Sequence, residues 1–379
     1  MKLNLLFDLY STQPCGKIIR HGGGIYGEIV YKKLLDLGFR FSVVYNSNFW
    51  INPELIELVN IYKLKLWDIS KTPIDDIVKF ENFPTIYCPV DNRLSYLTRS
   101  ISTIHGLRRI EMPNDWMQLK YKNSLREIIT FIPRMLFPKY WKQMQIKRMS
   151  KIIFSDNFKF VTVSKHSKYS FLSYFPQLPS NSIHYFYSPS TTNYTPVPYV
   201  HNKKYFLLVS GNRWEKNNLR ALIALDELIT ERSIFRNFDV IITGVDNLAS
   251  YKWKFKNTAH FICKGYISED ELHSLYSSCY SLIYPSLNEG FGYPPVEAMS
   301  YGKPVIASAI TSITEICDNA AIYFNPFDIM EIKNRIISLI DSDIYNDLKL
   351  KSQKRYSIIK KIQNEDLNRL IDWIVNECK

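Results

Sequence analysis

The sequence has no stretch approaching the ~18 consecutive apolar residues that a membrane-spanning helix requires. Its apolar residues, 46% of 379, are therefore read as core. It has no C-x-x-C pair: Cys15, Cys88, Cys263, Cys279, Cys317 and Cys378 are scattered along the chain. That spacing excludes a disulfide scaffold or a zinc site and reads as free thiols in a reducing compartment. No internal repeat or low-complexity tract stands out, which sets aside solenoids and disordered arrays. The opening MKLNLLFDLYST lacks the small-residue cleavage site of a secretory leader, and Asp8 interrupts its apolar run. The length suits two domains of ordinary size, and a cytoplasmic location is expected. Acids are in short supply, 36 against 48 Lys and Arg, giving a formal charge of +12.

That positive excess is concentrated. Between Leu107 and Lys151 stand eleven Lys or Arg against three acids, Glu111, Asp115 and Glu127. Trp116, Phe131, Phe137, Tyr140 and Trp141 are interleaved with them. Basic and aromatic residues mixed on helices suggest a surface for an anionic membrane or a lipid-phosphate acceptor. A solvated face is the plain alternative, and charge alone would admit nucleic acid.

What is present most distinctively is Ser281–Ser308, SLIYPSLNEGFGYPPVEAMSYGKPVIAS. Leu282–Tyr284 reads as a buried strand, followed by a loop with Asn288, Glu289, Gly290 and Gly292. Pro294 and Pro295 sit where a first helical turn tolerates proline, Val296–Tyr301 forms the helix, and Gly302 ends it. Pro304–Ala307 is the next strand. Glycine lets backbone amides approach a ligand closely, and a helix start behind them suits an anion such as phosphate. Glu289 and Glu297, with seven residues between them, each offer two acceptor oxygens that can take neighbouring hydroxyls. An ordinary core strand–helix unit has no need of two carboxylates here. A ligand with diols and a phosphate, such as a nucleotide-sugar, fits both devices.

The stretch NEGFGYPPVEAMSYGKPVIAS resembles the signature of glycosyltransferase family 4, the group 1 glycosyltransferases, which are retaining enzymes that use nucleotide-sugars. The resemblance implies an α/β chain of the GT-B fold: two Rossmann-like parallel-sheet domains facing across a cleft. The nucleotide-sugar would lie mostly on the C-terminal domain and the acceptor on the N-terminal one. Alternation of strand and helix signals in both halves agrees with two parallel sheets. The Ser/Thr/Pro/Asn-rich stretch from Ser188 reads as a linker. The domains are accordingly placed at 1–195, joined by a C-terminal helix at about 360–379, and at 196–359.

Along the chain, Lys2–Leu9 is the first strand and Ile25–Leu37 the first helix. Gly22, Gly24 and Gly27 spell G-x-G-x-x-G, but about a dozen residues separate them from the strand and Asn46 ends the second strand, Phe39–Tyr45. A dinucleotide fingerprint needs glycines directly after the strand and an acid at that end, so an oxidoreductase is rejected. In family 4 a glycine-rich loop here lies near the donor phosphates, and Gly23 and Gly24 match it best; close helix packing is the structural alternative. Residues 49–83 give no clear reading. In Thr103–His105, followed by Gly106, His105 sits at the carboxyl end of a strand, where open α/β sheets bind ligands. The resemblance places it beside the transferred sugar.

The second half opens with the strand Tyr205–Ser210 and then GNRWEKNN. Gly211 enters the loop, Arg213 and Lys216 lie before a helix that Asn217 or Asn218 can cap, and two cations at a helix start make a diphosphate site. Relative to the family pattern the chain is one residue short between Gly211 and Lys216, so the phosphate held by each cation stays open. Ser268 with Glu271 spells a capping box. Asp341-Ser-Asp343 is a D-x-D metal pattern in other glycosyltransferases, but no strand leads into it, and it reads as a helix stop and N-cap. A last helix, Asn364–Cys378, is expected to return to the first domain.

The resemblance therefore implies a metal-independent hexosyltransferase without a cofactor. It would move a hexose from a nucleoside-diphosphate sugar to a saccharide or lipid-linked saccharide, in bacterial surface polysaccharide or lipopolysaccharide synthesis. His105, Glu289, Arg213 and Lys216 are the catalytic candidates. Gly23, Gly24, Gly211, Gly290, Phe291, Gly292 and Glu297 are the donor-binding candidates, with Glu297 on the ribose diol. The chain is expected in the cytoplasm, with a peripheral position on the inner face of the cell membrane through 107–151, and nucleic acid is not expected as a partner. The competing reading is a basic nucleic-acid- or membrane-binding protein on a degenerate GT-B fold. A phosphorylase or epimerase of the same fold is a third reading, though no pyridoxal-phosphate lysine motif is seen.

Overall fold

The computed structural model describes residues 1–14, 21–82, 85–112, 114–190 and 195–379. Cys15, part of the polar loop before His21, and part of the linker after Ser188 lie outside the described residues. Contacts group the chain into two compact units. Unit 1 holds residues 1–107, 145–192 and 361–379; unit 2 holds 108–144 and 193–360.

Unit 1 is built on a seven-stranded sheet of β1 (Lys2–Asp8), β2 (Arg40–Tyr45), β3 (Leu66–Asp68), β4 (Thr85–Cys88), β5 (Arg99–Ile104), β6 (Phe158–Thr162) and β7 (His184–Tyr185). The order is β3-β2-β1-β4-β5-β6-β7, and every neighbouring pair is parallel. Its central strands are apolar and buried on successive residues, Leu5, Leu6 and Phe7 in β1 and Ile86, Tyr87 and Cys88 in β4. That is the pattern of a parallel sheet covered on both faces. β3 has three half-buried residues, too few to give a period, which is why 49–83 was illegible. Residues 361–379 belong to this unit: Asp366 accepts the Tyr187 amide (2.8 Å), Gln363 donates to Ser188 O (2.6 Å), and Glu377 pairs with Lys159 (2.8 Å).

Unit 2 carries β8 (Lys204–Leu208), β9 (Phe238–Thr243), β10 (Phe261–Lys264), β11 (Ser281–Tyr284), β12 (Val305–Ser308) and β13 (Ala321–Phe324). The order is β10-β9-β8-β11-β12-β13, again all parallel. Alternate residues feed two separate cores, as strand geometry requires. Phe206, Leu208, Val240, Ile242, Ile283 and Ile306 pack on one face; Tyr205, Leu207, Ile241, Leu282, Val305 and Ala307 pack on the other. The first core is closed by the helix Asn218–Glu231, whose Leu219, Leu222, Ile223, Leu225 and Leu228 are all buried.

Two local expectations are corrected. Asn217 precedes that helix with φ +56° and makes no side-chain cap bond. In this left-handed conformation its amide donates instead to Pro285 O (3.1 Å) and Pro326 O (2.8 Å). The last helix runs unbroken over Ser342–Glu377, far longer than Asn364–Cys378. Asp341 starts it, its Oδ1 accepting from the amides of Asp343 (2.8 Å) and Ile344 (3.3 Å).

Residues 108–144 group with unit 2 although they precede the linker. Arg220 makes two bonds to Asp115 (2.6 and 3.0 Å), the Tyr121 hydroxyl accepts the Leu219 amide (3.1 Å), and Asn288 donates to Glu111 (3.1 Å).

Candidate active site

In unit 2 the chain runs outward from β8 to β9 and β10, then crosses back to β11 beside β8. At such a reversal the loops leaving the two central strands diverge and open a crevice at their carboxyl ends. Those loops are 209–217 and 285–292. They are stitched together, for the Leu287 amide donates to Glu215 O (2.8 Å). Gly292, at φ +106°, turns the second loop into the helix Tyr293–Ser300, with prolines in its first turn. Gly302, at φ +63°, ends the connection.

Across this crevice Lys216 and Glu289, both below 10% exposed, form a direct ion pair. Lys216 Nζ donates to Glu289 Oε1 (2.6 Å) and to the Tyr284 hydroxyl (2.8 Å). Tyr284 donates to the same Oε1 (2.7 Å), and Ser286 Oγ donates there as well. Three donors thus converge on one carboxylate oxygen. The other, Oε2, lies 3.9 Å from Arg108. Burial alone would raise the Glu289 pKa, but the Lys216 and Arg108 charges and these bonds outweigh it and hold it down at about 2. The loop backbone is pinned too. The Glu289 amide donates to Thr311 Oγ1 (3.1 Å), and Ser312 Oγ lies 2.9 Å from the carbonyls of both Glu289 and Phe291.

Arg213 is held by Glu215, whose Oε1 accepts from its Nε (2.8 Å) and Nη2 (2.6 Å). Arg108 adds a second cation 3.6 Å from that oxygen. Sequence reasoning missed Arg108, Glu215, Tyr284 and Ser286. Glu215 was visible inside GNRWEKNN but carried no signal of its own, and nothing in the spacing of Arg108 links it to a loop more than a hundred residues away.

Gly211 has no room for a side chain: an added Cβ would lie 2.6 Å from the Tyr251 hydroxyl and 2.8 Å from Ile242 Cγ2. Phe291 is buried, its ring 5.5 Å from that of Tyr293. Gly290 lies between it and Glu289. Glu297 is half-buried on the helix Tyr293–Ser300. Burial, reinforced by repulsion from Glu269, pushes its pKa up to about 7, while the Tyr276 hydroxyl and Lys216 pull the other way.

The remaining candidates lie in unit 1, where the chain likewise reverses between β1 and β4. His105 follows β5. Its Nε2 lies 2.9 Å from Pro89 O, a group that only accepts, so Nε2 carries the proton. The imidazole stands edge-on to Tyr26 at 4.8 Å. The first helix begins at Gly22, and His21 caps it, its Nδ1 accepting the Gly24 amide (3.1 Å). A Cβ on Gly24 would meet Thr12 O at 2.7 Å, and one on Gly23 would meet Val90 Cγ2 at 3.2 Å. The structure brings Gly211, Arg213, Lys216, Glu289, Gly290, Phe291, Gly292 and Glu297 into one unit, and Gly23, Gly24 and His105 into the other.

Residues 195–364 match the family model of glycosyl transferases group 1. The O-antigen chain mannosyltransferase RfbU of Salmonella typhimurium is 26% identical over 257 residues, which covers 66% of this chain and 64% of that protein. Among solved structures, a glycosyltransferase from Rickettsia africae superposes with a TM-score of 0.62 at 19% identity, covering 99% of this chain and 98% of that one. Anabaena HepE in complex with UDP-glucose gives 0.63 at 14% identity, covering 98% and 99%. The fold is GT-B, with two Rossmann-like parallel-sheet domains.

Proposed function

We propose, taking as premise that residues 195–364 belong to the group 1 glycosyl transferases, that this chain is a retaining, metal-independent glycosyltransferase. It moves a hexose from a nucleoside-diphosphate sugar to a saccharide or lipid-linked saccharide acceptor. The observation that carries the reading is the buried Lys216–Glu289 pair at the reversal of the second sheet. Three donors hold one oxygen of Glu289, which leaves Oε2 to accept hydroxyls of the donor sugar. Glu297 accepts the ribose diol. Among the described residues two of the three Lys216 ammonium protons are used; the third is assigned to a diphosphate oxygen. Arg213 and the amides of 290–292 share that task.

As the bond from the anomeric carbon to the diphosphate oxygen breaks, negative charge grows on the leaving phosphates, and these groups stabilise it where it develops. The acceptor hydroxyl forms the new bond on the same face and passes its proton to the departing phosphate oxygen. No side chain is assigned as a covalent nucleophile. In unit 1, His105 is assigned as a hydrogen-bond partner for a sugar hydroxyl, and Gly23 and Gly24, which lie in the first turn of the helix Gly22–Asp36 and not in the loop expected before it, as an approach for the donor.

The similarity to RfbU makes mannose the first sugar to test and an O-antigen type of polysaccharide the first pathway. HepE, solved with UDP-glucose, supports a nucleotide-sugar donor. We place the protein at the inner face of the cell membrane, peripherally bound, where a lipid-linked acceptor is presented. The test is thermal unfolding with GDP, UDP and dTDP and their sugars, followed by turnover with the stabilising donor. One nucleotide should raise the unfolding temperature. Glu289→Gln should cut turnover about a hundredfold or more while the chain stays folded. Absence of any response to every nucleotide would sink the proposal.

A further inference from the structure

A half-buried ammonium ordinarily stands beside a carboxylate, because an unpaired charge taken out of water is costly. Lys303 does not. It lies half-buried in the turn between the helix Tyr293–Ser300 and β12. Its backbone is fixed from both sides: its amide donates to Ala298 O (3.1 Å), and its carbonyl accepts from Ser352 Oγ (3.0 Å). Among the described residues no carboxylate contributes to the charges acting on it. Burial and the Lys349 charge lower its pKa, and the pull the other way comes from Cys279. Burial pushes that thiol up to about 12, so it carries no charge at neutral pH. Lys303 and Lys204 line a cavity of about 330 Å3, with no acidic residue in its described wall. Much of that wall is aromatic. The rings of Tyr280 and Tyr345 stack at 4.5 Å, and Lys204 Nζ lies 5.4 Å from the centre of the Tyr280 ring. Both hydroxyls are spent on protein: Tyr280 donates to Leu339 O (2.7 Å) and Tyr345 to Tyr280 O (3.4 Å). The tyrosines therefore offer the cavity carbon surface, to which Ile340 adds, while Ser342 and Asn346 supply neutral polar groups. At the helix start the amides of Asp343 and Ile344 are already taken by Asp341 Oδ1, so the lysines carry the attraction for an anion.

We propose that this cavity is a second ligand site, for a phosphate monoester of a single sugar ring. The phosphoryl group carries close to two negative charges at neutral pH, which matches Lys204 and Lys303; lysine meets phosphate as a point charge. The C–H face of the sugar ring covers the tyrosine and Ile340 surface, and its hydroxyls meet Ser342 and Asn346. Size argues for one ring, since the volume is at the foot of the range of roughly 300–1,000 Å3 usual for small-molecule pockets. Inorganic phosphate would satisfy the cations and leave the aromatic wall bare. The cavity is separate from the catalytic crevice. Lys204 opens β8 and Lys303 precedes β12, so both stand at the amino edge of a sheet whose carboxyl edge forms that crevice. A strand of five residues puts about 16 Å between the two edges. A ligand here is an effector and not a substrate.

The test is isothermal calorimetry on the full chain with glucose 6-phosphate, mannose 6-phosphate, inorganic phosphate, sulfate and free glucose. A hexose phosphate should bind, inorganic phosphate and sulfate about tenfold more weakly, and glucose not at all. Lys303→Met should lower hexose-phosphate affinity about thirtyfold, and the more exposed Lys204→Met about tenfold. A second readout needs no ligand. Removing an uncompensated charge should leave Lys303→Met at least as resistant to urea as the wild type, which also shows that it folds. Added hexose phosphate should then raise the urea midpoint of the wild type and much less that of the variant. No binding of either hexose phosphate would overturn the proposal. So would binding that Lys303→Met leaves unchanged, or binding displaced by a saturating nucleoside diphosphate, which belongs to the catalytic crevice. Equal affinity for sulfate would reduce the cavity to an adventitious anion site, and a loss of urea resistance in Lys303→Met would make Lys303 a support of the fold instead; either overturns the proposal. Hexose-phosphate binding without any nucleotide response would uphold this site and discard the transferase reading, so the two fail separately.

Discussion

Replacing Lys216 with methionine keeps most of the side chain's length and removes its charge, leaving Glu289 buried without its main counter-ion. The size of the loss follows from the site. Burial drives the Glu289 pKa upward, yet the cations bring it from an ordinary 4.5 to about 2; through linkage that difference amounts to roughly 3 kcal/mol at neutral pH. Breaking one partner of a buried pair costs about 3–5 kcal/mol by general experience, so the two routes agree. The pH dependence fixes the cause. A depressed carboxylate contributes its stabilisation fully above 4.5 and loses it as the pH falls toward 2. In Lys216→Met, burial is no longer outweighed and Glu289 takes up a proton well above its ordinary range. The deficit relative to wild type should therefore shrink between pH 7 and pH 4. Adding Glu289→Gln to the same chain should recover about 2 kcal/mol, because the amide oxygen can still accept from Tyr284 and Ser286 without a stranded charge. Urea titrations of the wild type, both single variants and the double variant at several pH values measure all of this. A loss under about 1 kcal/mol at pH 7, a loss independent of pH, or strict additivity in the double variant would refute the reasoning.

Two further outcomes follow from neighbouring positions. Glu297, raised to about 7 by burial, takes up a proton on folding between pH 4.5 and 7, so its contribution to stability falls as pH rises through that window. A diol donates to the ionised form, so calorimetric affinity for the stabilising nucleoside diphosphate should rise about tenfold from pH 6 to 8, and Glu297→Gln should flatten the profile. Gly211→Ala forces a methyl against the Tyr251 hydroxyl and Ile242, and should cost about 1–3 kcal/mol in urea unfolding even before any ligand is added.

Residues 281–308 were legible because their punctuation is local: prolines in the first helical turn, glycines at positive φ, and two carboxylates where a core unit has no use for them. The sheet strands were legible from continuous apolar runs. What escaped depends on the third dimension. β3 is too short to show a period. Asn217 looked like a cap because asparagine so often is one, but its backbone took the left-handed region and its amide found two carbonyls from other loops. Arg108 and Glu215 build the charge balance around Arg213 and Glu289. No spacing rule announces them, since only the folding of 108–144 onto unit 2 brings Arg108 there.

That early stretch also decides how the protein can be taken apart. The chain passes from one unit to the other at 107/108, 144/145, 192/193 and 360/361, so a single cut releases neither half intact. A fragment begun at residue 193 would contain the whole stretch that matches the model of glycosyl transferases group 1, yet Arg220 would lose Asp115, Tyr251 would lose the ring of Tyr121 5.5 Å away, and Glu289 would lose Arg108. Anyone wishing to isolate unit 2 should splice 108–144 back to 193–360 through a designed connection.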